Sequence, residues 1–86
     1  MKLYNIFFAR SARRELQSLP VGIADRILTK IEVLETSPRP PGCTKLKGST
    51  SLWRIRVGEY RVVYEIDDEK SVIDIVVIRH RSEAYK

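Results

Sequence analysis

Three arginines carry the chemistry this chain can do. Trp53-Arg54-Ile55-Arg56-Val57 alternates apolar and basic residues at the period of a β-strand. Gly58-Glu59 follows, and Tyr60-Arg61-Val62-Val63-Tyr64-Glu65-Ile66 is a second β-branched and aromatic run. Glycine at the first centre of a two-residue loop suits a type II′ turn, which sets Val57 opposite Tyr60. Counting outward, Arg56 faces Arg61, Ile55 faces Val62 and Arg54 faces Val63. Like charges directly opposite in a sheet cost a few tenths to about 1 kcal/mol. A fold selected for stability alone has little reason to build that pair, so the expectation is an anionic ligand. The bland alternative is a solvated polar face with Arg54 or Arg61 paired to Glu59, Glu65 or Asp74. The opposed arginines weigh against it.

Further cations surround this cluster in sequence. Lys45 and Lys47 precede the hairpin, and Arg79, His80 and Arg81 come in sequence near the end of the last apolar run. The last three can bend toward either face. Guanidinium forks suit phosphate oxygens, and an aromatic such as Tyr85 can stack on a base, so a phosphodiester chain is the natural ligand. Grouped positive charge makes such binding salt-sensitive. The same arginines can stabilise the extra negative charge of a pentacoordinate phosphate. Cleaving RNA also needs the 2′-hydroxyl deprotonated and the leaving oxygen protonated, each worth roughly 10²–10⁴-fold. Arginine stays protonated to above about pH 12 and is a poor base. The candidate proton handlers are therefore His80, Tyr85, Glu59, Glu65 and Glu83. The bland reading of His80 is an exposed or structural histidine, and that of Tyr85 a cap on the core edge. There is no Ser-His-Asp set, no Cys/His metal spacing and no glycine-rich phosphate loop, so neither metal nor nucleotide cofactor is expected.

The elements that must position these groups follow from periodicity. Tyr4-Asn5-Ile6-Phe7-Phe8 reads as a first strand with Tyr4, Ile6 and Phe8 on one face. Ser11 is the expected N-cap of a short helix carrying Ala12, Leu16 and Leu19. Pro20 and Gly22 punctuate it. A longer helix is expected from about Val21 to Thr36, with Ile23, Ile27, Ile31 and Leu34 on one stripe. Ser37-Pro38-Arg39-Pro40-Pro41-Gly42 ends that helix in a stiff loop. After the hairpin come an acidic turn, Asp67-Asp68-Glu69-Lys70, and a last strand from Val72 to Ile78. The expected fold is α+β: an antiparallel sheet in the order β-α-α-β-β-β, with two N-terminal helices packed on one face. Arg54, Arg56 and Arg61 have the parity of the opposite, helix-free face.

At 86 residues the chain is expected to form a single domain, 1–86. Its composition, 43% hydrophobic and 31% charged, is that of a chain able to bury a core rather than of a disordered one. Cys43 is the only cysteine and is expected to be a surface thiol in a Pro/Gly-rich loop. The N-terminus reads as too polar for a signal peptide and no run approaches membrane-spanning length, so a cytoplasmic protein without membrane attachment is expected. The net charge of +5 points to a polyanion or to an acidic protein that covers the basic surface.

Leu52 through Ile66 closely resembles the central hairpin of RelE-type toxins of bacterial and archaeal toxin–antitoxin modules. Tyr4 to Phe8 with Ala12, Leu16 and Leu19-Pro20, and the ending Arg79-His80-Arg81-Ser82-Glu83-Ala84-Tyr85, fit the same family, so the resemblance covers essentially the whole chain. It implies a ribosome-dependent, metal-independent endoribonuclease, an mRNA interferase that enters the ribosomal A site and cuts mRNA through attack of its own 2′-hydroxyl. By motif, the site positions fall on Arg54, Arg56, Arg61, Arg79 or Arg81, and Tyr85, with Lys45 and Lys47 as further RNA contacts. Where the best-known relatives carry lysines, one of them thought to act as base, this chain has Arg54 and Arg56, and the proton-transfer role passes to His80 or Glu59. The resemblance also implies a cognate antitoxin that masks the basic surface. Nothing in the chain resembles a helix-turn-helix, so sequence-specific DNA reading by it alone is not expected. Two alternatives share the fold: a ParE-like toxin that poisons DNA gyrase without catalysis, and a degenerate member that only binds antitoxin or RNA.

Overall fold

The computed structural model describes residues 3–48 and 51–82. The elements are β1 (Asn5–Phe8), α1 (Arg10–Ser18), α2 (Val21–Val33), β2 (Thr44–Lys45), β3 (Leu52–Val57), β4 (Tyr60–Asp67) and β5 (Val72–His80). The two helices and the hairpin occur where periodicity puts them, and the last strand starts at Val72 as expected but runs two residues past Ile78, to His80. The first helix begins differently. Its N-cap is Ala9, with no side-chain cap, and Ser11 lies inside α1 with its hydroxyl directed at the Val76 carbonyl, 3.5 Å away. α2 is shorter than expected, because Leu34 caps it and a turn follows.

The sheet order is β1-β5-β4-β3-β2. β3, β4 and β5 form the expected antiparallel meander, but the sheet as a whole is mixed. β1 runs parallel to β5 from Asn5↔Val72 to Phe8↔Ile75, and the two-residue β2 adds to the edge of β3. Apolar alternation marks a segment as a strand without specifying its neighbour or direction. Here β3 already occupies the far side of β4, so β1 takes the remaining edge of β5.

One face of this sheet is the core. Ile55, Val57, Val62, Tyr64, Ile66, Ile73, Ile75 and Ile78 are buried with Ala12 of α1 and Ile27 and Ile31 of α2. At roughly 1.5–3 kcal/mol for each large apolar side chain buried, this layer dominates the favourable side of folding. The Pro-rich loop is tied over the core edge. Tyr64 Oη donates to the Pro38 carbonyl at 2.8 Å, and Arg39 Nη2 bridges to Asp68 Oδ2 at 2.8 Å while its guanidinium lies 5.0 Å from the Trp53 ring centroid. Tyr4 Oη donates to the same Asp68 carboxylate at 2.7 Å. Cys43 is half-buried and packed against the core rather than a surface thiol.

Candidate functional site

The hairpin fixes the site. Gly58 has φ +59° and Glu59 is not in the left-handed region, as a type II′ turn requires. The register that results is Val57↔Tyr60, Arg56↔Arg61, Ile55↔Val62 and Arg54↔Val63. β5 then sets Arg79 opposite Arg61 on its other side. Arg56, Arg61 and Arg79 therefore form a row at right angles to three adjacent strands. With strands about 4.8 Å apart, its Cα atoms span about 10 Å. Arg54 stands two residues along β3 on the same face, about 7 Å from Arg56.

Arg61 is central to this row and half-buried. Desolvation first, and then the charges of Arg54, Arg56 and Arg81, hold its guanidinium below the ordinary arginine range. It stays a cation, one whose charge an incoming anion relieves. Arg56 Nε donates to the Gly58 carbonyl at 3.1 Å, which turns its side chain toward the hairpin tip. Arg81 continues the β4–β5 ladder, its amide donating to the Glu59 carbonyl at 2.7 Å, and its Nη1 lies 3.9 Å from Glu59 Oε2. The carboxylates of this face gather at the other end. Glu65 faces Asp74 across β4 and β5, and Glu65 accepts from Ser51 Oγ at 3.0 Å. One sheet face thus carries a cationic pole and an anionic pole.

A β-bulge decides which tail residues join the cationic pole. Tyr64 pairs with Ile75 and Val63 with Val77, which leaves Val76 as the extra residue of β5. Upstream, Ile73 and Ile75 point into the core; downstream, Ile78 does. The shift of parity puts Arg79 with the arginines and His80 on the helix side. There His80 packs edge-on against Tyr60, ring centroids 5.3 Å apart at 89°, and its Nδ1 lies 2.9 Å from Ser82 Oγ. Of the two faces open to the tail, His80, a candidate proton handler, stands on the one opposite Arg54, Arg56 and Arg61.

Lys45 shares that side. It pairs with Trp53, not Arg54, so it has the parity of the helix side. Lys47 lies in the turn after β2, outside the sheet. Tyr85 and Glu83 lie outside the described residues. Sequence reasoning missed Arg14 and Ser11. With Glu15 and Ser18 they line a groove between α1 and β5 that also takes in Arg79. Their spacing, i, i+3, i+4 and i+7, is a helical stripe and was the available signal. Chemically, the site can grip phosphate oxygens and stabilise added negative charge.

The chain is similar to known proteins over nearly its full length. The family model for the ParE toxin of type II toxin-antitoxin systems, parDE, matches residues 6–85. The mRNA interferase toxin RelE of Escherichia coli K12 is 34% identical over 87 residues, covering 95% of this chain and 90% of that one. Among solved structures, the archaeal RelE–RelB complex from Pyrococcus horikoshii OT3 superposes with a TM-score of 0.82 at 32% identity, covering 92% of this chain and 96% of that one. The RelBE2 toxin–antitoxin complex of Mycobacterium tuberculosis gives 0.82 at 30% identity, covering 95% of both chains.

Proposed function

This chain belongs to the RelE/ParE superfamily of type II toxin–antitoxin toxins, and from that premise we propose that it is an mRNA interferase acting on ribosome-bound mRNA in the cytoplasm. The observation that carries the reading is the row Arg56–Arg61–Arg79, built across three strands at an electrostatic cost to the fold. In this reading the row and Arg54 hold the scissile phosphodiester. Arg61, already disfavoured as a cation by desolvation and then by like charges, stabilises the charge that builds up as the adjacent 2′-hydroxyl attacks. The products are a 2′,3′-cyclic phosphate end and a free 5′-hydroxyl end. The arginines remain protonated throughout, so both proton transfers fall to other groups.

A cognate antitoxin belongs to the same proposal. Relatives of this fold are solved bound to RelB antitoxins, and the basic face gives an acidic segment a surface to neutralise. The test is toeprinting of translating ribosomes with purified protein. New mRNA 3′ ends in the A-site codon, suppressed by the antitoxin, support the reading, and their absence with active protein rejects it.

The match to the ParE family model favours one alternative, a gyrase-poisoning toxin with no catalysis of its own. Trapped DNA cleavage complexes in a supercoiling assay, with mRNA left intact, would establish it instead.

A further inference from the structure

The arginine row does not stop at the edge of the meander. β1 covers β5 only from Val72 to Ile75, and the Ala9 amide then donates to the Ile75 carbonyl at 2.8 Å as the chain leaves the sheet. α1 runs beside the remainder of β5. Between them lies a groove of about 550 Å³ lined by Ser11, Arg14, Glu15, Ser18 and the Val77–Arg79 segment. That volume lies within the roughly 300–1,000 Å³ of ordinary ligand sites.

We propose that this groove is a nucleotide subsite, occupied by the stretch of RNA that continues past the phosphate held by Arg56, Arg61 and Arg79. The inference rests on the interferase reading above and extends it to the substrate's path. Arg79 belongs both to the row and to the groove lining, so the two are continuous. Arg14 supplies the second guanidinium, a fork donor for the next phosphate. The hydroxyls of Ser11 and Ser18, which donate to the Val76 and Glu15 carbonyls, keep lone pairs that can accept from a sugar or base edge as the Glu15 carboxylate can, and the half-buried Val77 suits a base face. The other end of the sheet face discourages a competing route. A strand of RNA laid along β4 from Arg61 would meet Glu65 and Asp74, so the favourable path runs across the strands toward α1.

The experiment is fluorescence anisotropy of a labelled trinucleotide and a labelled heptanucleotide RNA on the full chain, with Arg14→Ala and Arg61→Ala variants whose melting is checked by circular dichroism. Arg61→Ala should weaken both oligonucleotides. Arg14→Ala should weaken the heptanucleotide about tenfold, lower its salt slope by about 0.7 and leave the trinucleotide unchanged. If Arg14→Ala spares the heptanucleotide, or weakens both lengths equally, while Arg61→Ala weakens both, the groove is not a subsite and the interferase reading stands. If Arg61→Ala affects neither length, the interferase reading fails with it. Arg14 is exposed, so its replacement leaves the core untouched.

Discussion

Arg79 lies directly across from Arg61, one strand over from the Arg56–Arg61 pair. Three arginines at matching positions of three adjacent strands, the central one held below its ordinary range by desolvation and by the charges of Arg54, Arg56 and Arg81, make a surface that an anion would relieve. That relationship orders the expected behaviour of the variants.

Arg61→Ala should lower the rate of ribosome-bound mRNA cleavage by about 10²–10³-fold, the usual loss when one preorganised donor to a developing oxyanion is removed. Single-turnover toeprinting measures it. Circular dichroism should show the fold intact, since Arg61 has the strand parity of the face away from the buried Val62 and Ile55.

Arg56→Thr should be more stable than the parent and less active. Removing one of two opposed cations returns a few tenths to about 1 kcal/mol, and for a domain of 60–100 residues each 1 kcal/mol moves Tm by about 4–8 °C. A thermal melt at low salt reads the gain, and the difference should shrink as salt screens the pair. The same melt in added inorganic phosphate should raise the Tm of the parent more than that of the variant, because ligand binding to the native state stabilises by mass action.

His80→Gln should retain cleavage within a few-fold, because the ring stands on the helix side against Tyr60. The loss should fall on stability instead, at about 0.5–1.5 kcal/mol for the edge-to-face contact. A fall in cleavage comparable to that of Arg61→Ala would overturn this placement.

Alkaline pH should unfold the protein through Tyr64. Burial, ahead of the influence of Cys43, raises its phenol above the ordinary 10.0. The unfolded chain therefore gives up this proton at lower pH than the folded one. The stabilisation is complete below pH 10 and is lost as pH rises from there toward the folded value. Urea midpoints measured between pH 8 and 11 should fall at the upper end, and Tyr64→Phe should flatten that fall. At neutral pH the variant should cost about 1–3 kcal/mol, because the Pro38 carbonyl loses its donor.

Much of this was legible in the residues because the hairpin is a local object. Gly58-Glu59 sets the turn and the turn sets the register. Strict alternation then places Arg54, Arg56 and Arg61 on one face and Trp53, Ile55 and Val57 on the other. The helices follow from their apolar stripes for the same reason. Family resemblance supplied the chemistry proposed for the arginines.

The rest depended on distant contacts. No local signal tells Tyr4–Phe8 to run parallel to Val72–Ile75, because that choice is made by whichever sheet edge the meander leaves open. No alternation rule yields a bulge at Val76, yet that one extra residue puts Arg79, and not His80, on the face of Arg61. Nor does Arg14 announce itself until α1 packs beside β5. The sequence by itself determined the opposed pair Arg56–Arg61, since two strands and a two-residue turn leave no freedom. Only the tertiary structure extended that pair to a row of three and opened a groove at its end. A third strand's register is set by core packing, where Ile73, Ile75 and Ile78 must all reach the same buried layer.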